Sequence, residues 1–187
     1  MGQFFLARRK PGFTLIELLV VLSVVAIILS VAAPPLRQLL QSNLLRTETR
    51  RLLVAINLAR SEAIARNQPV SLCPSSIATS GPAVCSGNYA GGWMVFSNRD
   101  RDRTVDVSTD VVIEAFAGLP TGFTLTNRAG TRDASELITY LPDGSSGRNL
   151  TLKICSGFSA AAASWSVVMS RVGRPRVARG WGECPTG

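Results

Sequence analysis

Apolar residues run almost unbroken from Phe13 to Ala33, and Glu17 is the one charge among these 21 positions. As a helix they would measure about 31 Å at roughly 1.5 Å per residue, close to the ~30 Å hydrocarbon core of a bilayer. Arg8, Arg9 and Lys10 stand just upstream. Such a cluster keeps the amino terminus on the cytoplasmic side and puts everything after Ala33 across the membrane. Pro34 and Pro35 follow; each lacks an amide hydrogen and crowds the preceding turn, so a helix kink is expected there. Beyond them Leu36, Leu39, Leu40, Leu44, Leu52, Leu53, Ile56, Ala59 and Ala63 recur at helical spacing. Arg37, Glu48, Arg50, Arg51, Arg60, Glu62 and Arg66 interleave with them. The pattern predicts an amphipathic helix over 36–67, with Ala59 and Ala63 in the core and Arg60 and Glu62 on a solvated face. Gln68-Pro69 ends it, because a proline biases the residue before it away from helix. Run together, 13–67 would extend about 80 Å.

From Pro69 the period changes. Short β-like runs are predicted at Val70–Cys73, Trp93–Phe96, Val111–Phe116, Phe123–Thr126, Leu137–Leu141, Leu150–Cys155 and Trp165–Arg171. Gly91-Gly92, Gly118, Asp143-Gly144 and Gly157 punctuate them as turns. The fold class is therefore α+β: a long amino-terminal helix, apolar then amphipathic, packed against an antiparallel sheet. Trp93 and Phe96 are expected in the core. Three segments are expected: a leader over 1–12, a membrane-spanning helix over 13–35, and a globular head over 36–187 that includes the amphipathic helix.

Glu17 needs a reason. An acid among apolar residues at membrane depth costs a few kcal/mol, so it is a functional hypothesis by default. Its place near the positive end of the helix dipole lowers the cost, and a cation at the same depth would lower it most. Cutting after Gly12 would create that cation, the α-amino group of Phe13. The basic leader, Gly12-Phe13-Thr14-Leu15-Ile16-Glu17 and Pro34 at position 22 of the cut chain resemble a type IV prepilin. The resemblance implies cleavage between Gly12 and Phe13 by a prepilin peptidase and N-methylation of Phe13. It also implies pairing of Glu17 with a neighbouring subunit's amino terminus during filament assembly. A secretory signal cut near Ser30-Val31-Ala32 would rarely carry a glutamate in so long an apolar region. A plain single-pass anchor leaves Glu17 unexplained.

Composition narrows the chemistry. The chain of 187 residues carries a formal charge of +8, and loss of Arg8, Arg9 and Lys10 would leave 17 basic against 12 acidic residues. Histidine is absent, which removes the usual general base at neutral pH and the commonest transition-metal ligand. No phosphate-cradling GxxxxGK[ST] loop is found, and no nucleophile stands paired with a base, so neither an enzyme nor a cofactor is expected. Cys73, Cys85, Cys155 and Cys184 form no CxxC pair. Outside the inner membrane disulfides are favoured over a zinc site. Four cysteines allow three connectivities; nearness in sequence favours Cys73–Cys85 and Cys155–Cys184.

Leu58-Ala59-Arg60-Ser61-Glu62-Ala63-Ile64-Ala65-Arg66, then Val70-Ser71-Leu72-Cys73, then Gly92-Trp93-Met94-Val95-Phe96 resemble the GspH/FimT group of minor pilins and pseudopilins. In Asn98-Arg99-Asp100-Arg101-Asp102-Arg103, the carboxylates of Asp100, Asp102 and Asp106 suggest calcium ligands. The interleaved arginines and a missing EF-hand glycine and glutamate argue for a charged hairpin tip, and no metal is expected.

The carboxyl-terminal tail holds Arg171, Arg174, Arg176 and Arg179, with Trp181 beside them. Guanidinium forks suit phosphate oxygens, and tryptophan offers a stacking face for a base or a guanidinium. Gly173-Arg174-Pro175-Arg176 also resembles the GRxR element of FimT-like minor pilins that bind DNA during transformation. The bland alternative is a solvated arginine-rich edge or a pilin–pilin contact.

The resulting expectation is a minor type IV pilin, with other major and minor pilins, prepilin peptidase, inner membrane and DNA as partners. It would span the inner membrane once, with its head in the periplasm and later on the pilus at the cell surface. A GspH-like pseudopilin of a type II secretion system is the alternative.

Overall fold

A computed structural model describes residues 12, 14–106, 108–157, 164–181 and 184, with backbone alone at 34, 35, 37 and 38. The leader before Gly12 and Phe13 itself lie outside the described residues. Helix α1 spans Leu15–Arg66 without interruption, positions 34 and 35 included. The chain divides into two compact units, Met1–Leu39 and Leu40–Gly187.

In the first unit Thr14 begins the helix, its hydroxyl accepting the Glu17 amide hydrogen at 3.3 Å. Thr14 and Glu17 thus hold the first and last places of a Thr-x-x-Glu capping pattern, and Glu17 lies in the first turn, near the positive end of the dipole. Leu15–Ala33 is long and apolar enough to cross a membrane, and its large side chains are all exposed. Ser23 and Ser30 return their hydroxyls to the carbonyls of Leu19 and Ile27, so neither presents an open donor on the apolar surface.

In the second unit the buried seam of α1 is Leu45, Leu52, Ala55, Ile56, Ala59 and Ala63. The expected apolar face begins later than its pattern suggested: Leu36, Leu39, Leu40 and Leu44 are exposed. Arg60 also departs from expectation. It is half-buried and donates from Nε to the Gly144 carbonyl at 3.1 Å.

The head holds two sheets where one was expected. The first orders β3 (Val112–Ala117), β2 (Gly92–Ser97), β1 (Val70–Pro74) and β5 (Ile138–Tyr140). The second orders β4 (Phe123–Thr126), β6 (Leu150–Ser156), β7 (Trp165–Met169) and β8 (Pro175–Arg179). Every named pairing is antiparallel. Both sheets share one core with α1. Leu72, Trp93 and Val95 come from the first, and Leu125, Leu152, Ile154 and Val167 from the second. Trp93 stacks on Phe116 at 5.8 Å between ring centroids.

Strand β8 lies in the arginine-rich tail, where the sequence reading placed no strand. Proline is tolerated at the first position of an edge strand, where its missing amide hydrogen breaks no ladder. Pro175 occupies that position. The disulfides join Cys73 to Cys85 and Cys155 to Cys184.

Candidate nucleic-acid interface

Alternation along the strands sorts the second sheet into two faces. Val167 and Met169 of β7 point into the core, so Ser166 and Val168 take the outer face. Register then carries Arg176, opposite Val168, and Ala178, opposite Ser166, to that outer face. Arg179 pairs with Trp165 and lies on the other face. The tail folds back over the outer face: the Ser166 hydroxyl donates to the Trp181 carbonyl at 2.8 Å, and Cys184 is bonded to Cys155.

The turn between β7 and β8 is set by a glycine. Gly173 has φ +76°, and a Cβ placed there would stand 2.0 Å from the Gly144 carbonyl oxygen. No side chain fits, and left-handed backbone is costly for any residue but glycine. The Tyr140 hydroxyl donates to the Gly173 carbonyl at 3.2 Å, and burial pushes that phenol's pKa up. Beneath lies the Asp143-Gly144 turn. The Ser145 amide donates to Asp143 Oδ1 at 2.9 Å, which pulls the Asp143 carboxyl below its ordinary pKa. Arg60 ties the same turn to α1. In Gly173-Arg174-Pro175-Arg176 the glycine and proline therefore shape the backbone, leaving the two arginines to face solvent.

A second turn approaches from the other side. After β4, the Asn127 side chain accepts the Thr131 amide hydrogen at 3.0 Å, and Asn127 donates its amide to the Arg132 carbonyl. The closed loop presents Arg128 and Arg132. The Arg128 guanidinium carbon stands 5.1 Å from the Trp181 ring centroid, and that of Arg176 stands 5.5 Å from it.

Between these turns runs an open groove of about 860 Å³, lined by Arg128, Arg132, Arg174, Arg176, Asn149 and Trp181 among others. Glu136 is the one carboxylate among its described lining residues, and it pairs with Arg132 at 3.0 Å. Four guanidinium groups against one acid make a concave surface suited to polyanions. Trp181 is 39% exposed and contacts two guanidinium groups, which orders their forks at a low cost in side-chain entropy. The groove can take phosphate oxygens through arginine forks, with polar Asn149 and Thr151 on its floor.

Of the tail residues singled out from sequence, the structure brings Arg174, Arg176 and Trp181 together. Arg171 is exposed on the β7–β8 turn and does not line the groove; its amide bonds to Asn149 Oδ1 at 3.0 Å. Arg179 is turned away by strand parity. Arg128 and Arg132 escaped the sequence reading because no motif marks them. The available signal was Asn127-Arg128-Ala129-Gly130-Thr131-Arg132 read as a turn carrying two arginines.

The family model described as Type II transport protein GspH matches residues 48–173, and the prokaryotic N-terminal methylation motif matches residues 7–33. The GspH match ends just before Arg174. No curated protein matches the chain in sequence. Among solved structures, the chain is similar to the type IV minor pilin FimU of Pseudomonas aeruginosa in two crystal forms, with 16% identity in each. In one the TM-score is 0.52 over 71% of this chain and 91% of that one; in the other it is 0.55 over 74% and 90%. The minor pseudopilin EpsH of the Vibrio cholerae type 2 secretion system aligns with a TM-score of 0.48 and 14% identity, over 72% of this chain and 95% of that one.

Proposed function

Since the chain belongs to the GspH family, we propose that it is a minor pilin whose filament-borne head binds DNA through the Trp181 groove. Membership of that family, with the methylation motif and the apolar segment, makes it a membrane-anchored pilin or pseudopilin, a structural class rather than a catalytic one. The finer assignment rests on one observation: Arg128, Arg132, Arg174 and Arg176 converge on a single groove beside Trp181. Peptidase cleavage after Gly12 frees the Phe13 amino group, which is then N-methylated. Residues 13–35 form the filament-core helix, with bending at Pro34 and Pro35, and 36–187 the head. Glu17 then meets a neighbouring subunit's amino terminus and sets register within the filament.

Recognition is through phosphate. With two guanidinium groups already against the Trp181 ring, base stacking has to displace one of them, whereas phosphate oxygens reach the outward edges of both forks. Binding is therefore tolerant of sequence and steeply salt-dependent, with a slope of log affinity against log salt near −0.9 per phosphate contacted in duplex DNA. The test is an electrophoretic DNA-binding titration on the full chain in detergent micelles, repeated across salt concentrations. Arg174→Ala with Arg176→Ala should weaken binding for all sequences alike and reduce the slope by about two. Unchanged affinity and slope in a folded double variant would remove DNA from the reading. The competing assignment, a pseudopilin of a secretion system, is favoured if the purified chain shows no DNA binding yet co-assembles with secretion-system pseudopilins.

A further inference from the structure

The loop joining β2 to β3, residues 98–111, gathers three carboxylates, two of which, Asp100 and Asp106, belong to the trio its sequence suggested. One carboxylate oxygen from each of Asp100, Asp106 and Asp110 lies within 4.8 Å of the others. Asp102, included in the sequence-derived trio, is absent from this group; its Oδ1 accepts the Thr104 amide hydrogen at 2.7 Å. The neck of the loop is closed by Ser97. Its amide donates to the Val111 carbonyl, and its hydroxyl accepts the Val111 amide hydrogen at 2.7 Å.

Asp110 supplies an independent observation. It is 8% exposed, and its Oδ2 accepts the Asp106 amide hydrogen at 3.1 Å. Its Oδ1 has no partner, although it is shielded from solvent. A carboxylate oxygen so placed is costly unless something positive meets it. The arginines do not. Among the described residues, no salt bridge involves Asp100, Asp102, Asp106 or Asp110. Arg103 reaches away to donate to the Ser135 carbonyl at 3.0 Å, and Arg99 and Arg101 are exposed. The sequence-based objection, that interleaved arginines would repel a cation, loses its force where their forks leave the cluster empty of ion pairs.

We propose that Asp100, Asp106 and Asp110 form a calcium site that braces the β2–β3 loop. Calcium binds oxygen ligands at about 2.3–2.6 Å, so two ligands of one ion lie up to about 5 Å apart, a limit that these three oxygens, all within 4.8 Å of one another, respect. The donors are all oxygen and the loop is irregular, which suits calcium better than the strict octahedron of magnesium or the nitrogen and sulfur preference of zinc. Water would complete the shell. Asn98 stands at the loop's base, fully buried, donating from Nδ2 to Ser71 Oγ and to the Asp102 carbonyl. It fastens the loop to β1. An ion here holds the loop without taking part in the arginine groove, so the proposal stands whether or not DNA is a ligand.

The test is calorimetric titration of the full chain in detergent micelles after treatment with a chelator, alongside thermal unfolding. Calcium should bind saturably at one site, with a dissociation constant on the order of 10⁻⁴–10⁻³ M, the range of extracellular modules. It should raise the unfolding temperature where sodium chloride of equal ionic strength does not. Asp100→Asn, at an exposed position, should keep the fold and weaken calcium binding at least tenfold. Asp106→Asn should unfold at a higher temperature than the parent in calcium-free buffer, through relief of like-charge crowding, yet lose the response to calcium. No saturable binding at ten times the upper end of that range, or binding unaltered in both variants, overturns the site.

Discussion

The two sheets of the head are built alike and finished differently. Each has four antiparallel strands, one face on the shared core, and a disulfide-tied segment on the outer side. On the first sheet, Cys73, Met94 and Phe96 of the outer face are completely buried under Ile77, Cys85 and Leu137. On the second, the tail beyond β8 crosses the outer face but leaves the arginine groove open beside it. A face sealed with apolar side chains carries stability. A face left open and lined with guanidinium groups is where the proposed function puts DNA recognition. Substitutions on the two faces should therefore separate these roles.

The largest effect is expected on the sealed face. Phe96→Ala empties a fully buried ring position and should cost about 3–5 kcal/mol in chemical denaturation. Val168→Ala, on the open face, should cost about 1 kcal/mol or less. Equal losses at the two positions would abolish the distinction.

The disulfides come next. Replacing Cys155 and Cys184 by serine opens a loop of sequence separation 29, and replacing Cys73 and Cys85 opens one of 12. Loop-closure arguments put both near about 3–4 kcal/mol, the longer loop losing more. Function should split them: freeing Cys184 releases the segment that carries Trp181 and weakens DNA binding, whereas freeing Cys85 leaves binding intact. Parallel denaturation and DNA titrations on the two double variants give both readings.

Gly173→Ala should cost about 1–3 kcal/mol for the positive φ alone, and more where the methyl meets the Gly144 carbonyl. Here DNA binding should fall with stability, since Arg174 and Arg176 follow directly on the displaced turn. Arg179→Ala should change neither, because strand parity sets it on the other face. Loss of DNA binding in Arg179→Ala would place the interface elsewhere.

These contrasts also show what the sequence could reveal. Periodicity located α1 and seven strands to within a residue or two at most ends, because burial at Ala59, Ala63, Trp93 and Phe96 follows directly from local pattern. It missed β8, since Pro175 and three nearby arginines suppress every ordinary strand signal. It read one sheet where there are two, because strand order depends on pairings such as β1 with β5, which join Val70 to Tyr140 across the chain. The groove was half visible for the same reason. Arg174, Arg176 and Trp181 are neighbours in sequence, but Arg128 reaches Trp181 through the folding of β4 against β6. Residues joined by tertiary pairing leave no local mark.

The smallest expected effect lies beneath the open face, at Asp143. Its carboxyl is held below its ordinary pKa first by the Ser145 amide hydrogen bond, in the turn on which Gly173 rests. A depressed folded-state pKa means that the charged form stabilises the fold. That contribution is complete above the unfolded carboxyl value near about 3.9 and fades as pH falls through the lower folded value. Asp143→Ala should thus be slightly less stable than the parent at neutral pH, and the two should converge in acid below about pH 4. Since Asp143 is exposed, the difference is small and best read as a pH-dependent gap between two unfolding curves. A gap that persists unchanged into acid would mean that the Asx turn acts through shape alone, and that the charge at Asp143 contributes nothing to the support of the arginine turn.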